Sequence, residues 1–280
     1  MNTMSYVLET IDRARNIDER APGPPRRELQ GTYLKLRAKY KLRRVLPVRS
    51  LRGESICGFR LECPEYGALA FLFEEIFLRR DYEFTAAIER PLIFDCGSNI
   101  GMSVAYFKRL YPEARVVAFE PCKESFDVLS RNVQANRWGG IELHNVALHR
   151  AEQPVEFFVS PTSPTSLTNC SGAGQVAGTA RMVPGVPLSK FISEPVDFLK
   201  MDIEGAEAEV LEELAESGRM PLVREMVVEY HHHTDRSEDR LSRTLRLLEE
   251  NGFGYQIRST PWQAFTRETF QDLLIRAYRK

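Results

Sequence analysis

One stretch constrains this chain more than any other. Leu92, Ile93 and Phe94 form an apolar run that ends in Asp95 and passes into Cys96-Gly97-Ser98-Asn99-Ile100-Gly101, and a second apolar run, Val116 to Phe119, ends in Glu120-Pro121. Strand, glycine-spaced turn, helix and a second strand with an acidic tip is a nucleoside-binding order. Glycine at 97 and 101 lets the backbone turn sharply and pass close to a ligand where a Cβ would collide. Glu120 can accept both ribose hydroxyls, and Pro121 stiffens the turn that aims it. The phosphate-binding version of this pattern is incomplete, because Asn99 stands where it has its second glycine and no Walker lysine follows. A nucleoside without phosphates fits better, and S-adenosylmethionine is the common one. Asp95, Gly97, Ser98, Asn99, Gly101, Glu120 and Pro121 are therefore the expected cofactor-binding residues of this half.

A second motif adds acids at matching places. Asp197-Phe198-Leu199-Lys200-Met201-Asp202 reads as a buried strand with an acidic end, and Ile203-Glu204-Gly205-Ala206-Glu207 then opens a helix with Val210, Leu211 and Leu214 on one face. Leu222 to His231 is another strand with polar groups at its far end, where open α/β sheets bind their ligands. Alternating periodicity predicts strands near 91–95, 115–119, 141–146, 197–201, 223–229, 253–258 and 273–278, and helices near 101–110, 123–136, 206–216 and 238–251. That is an α/β doubly wound sheet. Between its third and fourth strands, Val155 to Val159 and Arg181 to Val186 are extended, flanking a Ser/Thr/Gly/Pro-rich segment at 160–180 that reads either as an acceptor-binding lid or as plain disorder.

These motifs resemble the FkbM family of S-adenosylmethionine-dependent methyltransferases: IFDCGSNIGMS at 93–103, VVAFEP at 116–121, HNVAL at 144–148, FLKMDIEGAEAEVL at 198–211 and VVEYH at 227–231. The similarity covers roughly 66–280, including the IFLRRDYEF run before the first motif, and LKMDIEGAE is its specific part. It implies a seven-stranded, mostly parallel, Rossmann-like class I methyltransferase domain at 66–280, with 1–65 as an N-terminal accessory segment of helices and short strands. It also implies transfer of a methyl group from S-adenosylmethionine to a hydroxyl oxygen of a specialised metabolite or saccharide. In that fold the fourth strand tip faces the transferred methyl group, which makes Asp202 the first candidate base and His231, titratable near neutrality, the second. Glu204 and Glu229 are expected to orient the acceptor, though Glu204 also suits a helix start. Asn145 and Ala147, with Leu148, follow the third strand, where an adenine ring is gripped.

Composition agrees with one large domain and an accessory segment: 280 residues, 43% hydrophobic, 28% charged, net charge −1. The near-neutral balance gives no global pull toward nucleic acid or membrane. No apolar run approaches the roughly 20 residues that span a bilayer, and the polar start lacks a signal peptide core, so a cytoplasmic location is expected. Homo-oligomerisation is left open. Cys57, Cys63, Cys96, Cys122 and Cys170 are scattered and read as reduced thiols.

APGPPRR at 21–27 separates Met1 to Arg20, an amphipathic helix or loose arm, from a basic helix over Glu28 to Arg44 with Leu29, Tyr33, Leu36 and Tyr40 on one side. Residues 45–63 suggest one or two short strands, and Tyr66 to Leu78 a helix burying Leu69, Phe71, Leu72, Ile76 and Phe77. The basic helix reads first as a solvated face; it would also suit RNA binding by an RNA methyltransferase. The strand-tip motifs in turn admit a nucleotide-binding oxidoreductase or a non-catalytic binding module. Of His231-His232-His233, only His231 and His233 could share a metal on extended backbone, and no metal is expected. The 160–180 segment and the residues before 90 are expected to select the acceptor.

Overall fold

The computed structural model describes residues 23–43, 53–64, 66–160, 179–232, 240–259 and 271–280. The expectations for Met1 to Arg20, His233, Cys170 and most of 160–180 lie outside them. Helix α1 spans Arg26–Arg43, β1 Glu54–Ile56 and β2 Phe59–Leu61, α2 Tyr66–Phe73, β3 Leu92–Cys96, α3 Met102–Leu110, β4 Arg115–Phe119 and α4 Lys123–Asn136. Strands β5 (Ile141–His144), β6 (Ala147–Leu148), β7 (Gln153–Val159), β8 (Thr179–Val186) and β9 (Val196–Met201) follow. Helix α5 (Glu207–Glu216), β10 (Val223–His232), α6 (Leu241–Glu250), β11 (Phe253–Ser259) and β12 (Gln271–Arg279) complete the described chain. Among the described residues no helix is long and apolar enough to cross a membrane.

The main sheet has seven strands in the order β11-β12-β10-β9-β3-β4-β5. Only β12 runs against the others, pairing antiparallel with both β10 and β11. Chain order reverses between β3 and β9, so a crevice opens beyond their carboxyl ends. Alternation along the strands sends side chains to two cores. Ile93, Val116, Phe198 and Val227 join one cluster with α1 to α4, and Phe94, Val117, Leu199 and Met226 join the other with α5 and α6. Two residues further along the same face, three of these core hydrophobes are followed by a polar group, Ile93 by Asp95, Phe198 by Lys200, Val227 by Glu229 and then His231, while Val116 is followed by Ala118. The period of two thus aims every one of these polar groups at the crevice side of one face.

The insertion does not extend the main sheet. β7 and β8 pair antiparallel and β8 pairs parallel with β6, making a separate three-stranded sheet. Among the described residues of the accessory segment, Leu29, Tyr33 and Leu36 of α1 are fully buried in the cluster that contains Ile93 and Phe198. Two lysines of the basic helix have a structural use. Lys35 lies 3.4 Å from the buried carboxylate of Glu54 and Lys39 also pairs with it, while the Tyr66 hydroxyl donates to the same group at 2.5 Å. The β1–β2 hairpin turns at Cys57 and Gly58, both at positive φ. It is tied to α4 through Asn132, whose amide accepts from Glu62 N at 2.6 Å and donates to Ile100 O at 2.8 Å. The hairpin therefore braces the very turn that the glycines shape.

Beyond α2 the helix widens into a π turn at Glu74–Leu78, a distortion common at functional sites. Phe71 of α2 lies off the side that buries Leu69, Ala70 and Phe73, and is 51% exposed rather than buried as the sequence suggests. The following segment returns over the sheet and is fixed by Phe84, whose ring stacks on Phe198 with centroids 4.3 Å apart and also contacts Phe107 and Tyr111. Phe84 thereby holds Tyr82, two residues earlier, over the strand tips. Phe84→Ala should cost about 3–5 kcal/mol in urea unfolding, the usual cost of emptying a fully packed aromatic site. A loss below about 1 kcal/mol would show that the segment is anchored elsewhere.

Candidate active site

A cavity of about 250 Å³ lies at the carboxyl edge of the sheet. Its floor is built around Lys200. The ammonium is buried and donates to the carbonyls of Gly97 at 2.6 Å and Cys96 at 3.2 Å, with Asp202 Oδ2 at 3.3 Å and Asp95 Oδ1 at 3.7 Å. Burial works against the charge, but Asp202 and Asp95 outweigh it and raise Lys200 above the ordinary lysine value. Asp95 is its register partner on β3 and takes a hydrogen bond from Ser103 Oγ at 2.6 Å. At Gly97, with φ +86°, a Cβ would overlap the Asp202 carbonyl oxygen, so the two loops approach only because the side chain is absent.

Next to this floor, Glu120 at the tip of β4 accepts from Asn99 N and Cys122 N, each at 2.8 Å. Burial pushes its carboxyl up to about 7, against the pull of those two N–H groups. Asn99 itself is left-handed at φ 46°, and its Oδ1 accepts from Ile100 N at 2.8 Å. Asparagine tolerates this conformation, which explains how it replaces the glycine. Phe119, Val146, Ala147, Leu148 and Phe157 form an apolar wall beside Glu120 and Pro121.

The opposite half of the cavity is acidic. Asp202, Glu204, Glu229 and His231 all line it, together with Glu75, Tyr82 and Asp272. The Tyr82 hydroxyl bridges Glu229 at 3.3 Å and Asp202 at 3.5 Å. His231 Nδ1 meets Glu207 Oε1 at 2.8 Å, and its Nε2 faces Glu204 at 3.5 Å and Asp202 and Asp272 at 3.9 Å each. Burial and neighbouring acids raise Glu229 to about 7, Glu75 to about 8 and Glu204 to about 9. Burial alone would lower His231, but Glu207, Glu204 and Asp202 hold it well above its ordinary value.

Of the thirteen expected site residues, ten line the one cavity: Gly97, Ser98, Asn99, Glu120, Pro121, Ala147, Asp202, Glu204, Glu229 and His231. Three do not. Asp95 lies beneath the floor, 0% exposed, as the partner of Lys200 and Ser103. Gly101 starts α3 at φ 89°, and a Cβ there would press on Leu129 rather than on a ligand. Asn145 donates to the carbonyls of Glu120 at 2.8 Å and Pro121 at 3.1 Å, which holds the turn after β4. Of the residues before 90, Leu72, Glu75, Ile76 and Tyr82 join the cavity wall. Sequence reasoning missed Lys200, although a lone lysine in a strand of Phe, Leu and Met was a visible signal. Tyr82 and Asp272 carried none, because only the folded sheet brings them to the strand tips.

The family model of the methyltransferase FkbM domain matches residues 95–255. Methyltransferase 1 of Beauveria bassiana (strain ARSEF 2860) is 28% identical over 213 residues, covering 69% of this chain and 84% of that protein. Methyltransferase sdnD of Sordaria araneosa is 30% identical over 191 residues, covering 57% and 73%. The 31-O-demethyl-FK506 methyltransferase FkbM of Streptomyces tacrolimicus is 25% identical over 232 residues, covering 71% and 87%. A solved structure of methyltransferase FkbM from Methylobacillus flagellatus KT aligns over 98% of this chain and 59% of that one, with 15% identity and a TM-score of 0.48.

Lys200 is the testable point of the geometry. Lys200→Met leaves the buried Asp95 without its counter-charge and should cost about 3–5 kcal/mol in urea unfolding near neutral pH. Adding Asp95→Asn in the same chain should recover part of that loss, because the stranded charge is then removed. Additive losses would mean that the two groups do not interact.

Proposed function

The chain belongs to the FkbM methyltransferase family, and from that premise we propose that it moves the methyl group of S-adenosylmethionine to a hydroxyl oxygen of a specialised metabolite or saccharide. One observation carries this reading: a single cavity joins a nucleoside-shaped half, with Glu120 beside an apolar wall, to a carboxylate-rich half around Asp202 and Glu229. The donor fits the first half. Glu120 is only 5% exposed, so ribose hydroxyls that reach it replace no large water shell, and the apolar wall suits an adenine face. The similar Streptomyces protein is named for an oxygen position on FK506, which supports an oxygen acceptor here.

Methyl transfer is a one-step displacement. The acceptor oxygen attacks the methyl carbon, the S–CH₃ bond breaks as the O–CH₃ bond forms, and the sulfonium becomes a neutral thioether. The hydroxyl proton leaves in the same event, and the carboxylates of Asp202 and Glu229, which share the Tyr82 hydroxyl, stand ready to take it. Holding the two reactants in line can supply about 7–11 kcal/mol of the barrier. The excess of carboxylates over Lys200 and His231 further favours the cationic donor over the uncharged thioether product, which assists product release.

Ionised Glu120 is the better acceptor for ribose hydroxyls, so donor binding should follow its titration. With the carboxyl near 7, the ionised fraction rises about tenfold between roughly pH 6 and pH 8. Calorimetric affinity for S-adenosylhomocysteine should tighten by a similar factor over that range. Glu120→Gln should bind at least about tenfold more weakly at the upper end and lose most of the pH slope. An unchanged slope in Glu120→Gln would move the ribose away from this residue.

A further inference from the structure

We infer that the carboxylate-rich half of the cavity is a divalent metal site, with Asp202, Glu204 and His231 as ligands and Glu229 and Asp272 completing its rim. Two candidate ligand groups, Asp202–Glu204–His231 and Glu229–His231–Asp272, share His231, and within each the donor atoms lie within 4.8 Å of one another. The spacing is informative. From His231 Nε2 to the carboxylate oxygens of Glu204, Asp202 and Asp272 the distances are 3.5, 3.9 and 3.9 Å, longer than hydrogen bonds. An ion bound at about 2.0–2.2 Å holds neighbouring ligands roughly 3.0–4.3 Å apart, from adjacent to opposite positions. The observed gaps fall in that interval.

Orientation of the histidine is a second and separate indication. Glu207 is 1% exposed, and its carboxylate is pinned by the backbone N–H groups of Gly205 at 3.0 and 3.1 Å and Ile203 at 3.2 Å. Held there, it engages His231 Nδ1 at 2.8 Å and turns Nε2 to the cavity, the arrangement in which a carboxylate behind a metal-bound imidazole fixes its ring and tautomer. Asp202 is divided in the same manner. Its Oδ2 is held by Lys200 and Tyr82, which leaves Oδ1 on the His231 side. Among the described residues the set takes its nitrogen from His231 of the His231–x–His233 pair and its oxygen ligands from the tip of β9 and the loop after it.

One imidazole among several carboxylates suits a first-row divalent ion such as Mn²⁺, Fe²⁺ or Zn²⁺ better than Ca²⁺ or Mg²⁺, which prefer oxygen alone. The site stands on this geometry. Its role rests on the methyl-transfer reading above: an ion here would hold the acceptor oxygen and acidify its hydroxyl, the proton passing to a nearby carboxylate as the O–CH₃ bond forms and the S–CH₃ bond breaks.

The test uses untagged full-length protein stripped with a chelator and titrated with Mn²⁺ alone, bound and free ion being separated by electron paramagnetic resonance. One saturable equivalent is expected, with nitrogen modulation of the bound ion from a directly coordinated imidazole. His231→Ala and Glu204→Gln, checked for folding by circular dichroism, should each weaken binding at least about tenfold. No saturable binding, bound Mn²⁺ without nitrogen modulation in the unaltered protein, or equal binding by His231→Ala would each overturn the inference; the spectrum decides even if a variant fails to fold. S-adenosylhomocysteine titrated into the metal-free protein separates the two claims. Binding of it without Mn²⁺ binding removes only the metal, and the converse removes only the donor.

Discussion

A buried ammonium at the reversal point of the sheet is the interaction on which the rest depends. Lys200 gathers two backbone carbonyls from the turn after β3 and two carboxylates, one below the floor and one at the cavity. The turn after β3 and the loop after β9 are thereby drawn together closely enough that position 97 cannot carry a side chain. That approach sets the distance between the nucleoside-shaped half and the acidic half. Burial of an ion pair is a costly way to join two loops, since both charges lose their water, and the compensation is geometric: the donors and acceptors are fixed before any ligand arrives.

Much of this architecture was legible because strands buried on both faces read as short apolar runs with polar tips. The seven strands of the main sheet fall within a few residues of the positions that the runs indicate, and Glu120, Asp202, Glu229 and His231 meet in space because each ends a strand on the same sheet edge. What escaped depends on long-range geometry. Asp272 enters the site from β12 by its register opposite His231, and Tyr82 enters because Phe84 stacks on Phe198. Asp95 looks like a ligand-binding acid in sequence, yet its side chain points beneath the turn whose backbone forms the floor. Phe71 reads as a core residue by type, yet it lies off the side of α2 that buries Leu69, Ala70 and Phe73.

Charge distribution ties the fold to the chemistry. Acids from β4, β9, β10, β12 and the π turn converge on one cavity, where they raise one another's proton affinity, and Lys200 and His231 answer only part of that charge. A surplus of buried carboxylate destabilises the empty protein as pH rises through those values, because the protonated forms are the ones that burial favours. Such a cavity is suited to cations. On the function proposed for this chain a sulfonium donor satisfies it in the nucleoside-shaped half, and on the inferred metal site a divalent ion satisfies it in the other.

On the proposed function both halves of the cavity serve one reaction, with the donor spanning from Glu120 to the Asp202–Glu229 pair. A crystal structure of the complex with S-adenosylhomocysteine tests it most directly. The ribose hydroxyls are expected on Glu120, the adenine against Phe119, Val146 and Ala147, and the sulfur turned toward Asp202 and Glu229. A nucleoside bound away from Glu120, or a sulfur facing away from those carboxylates, would contradict it.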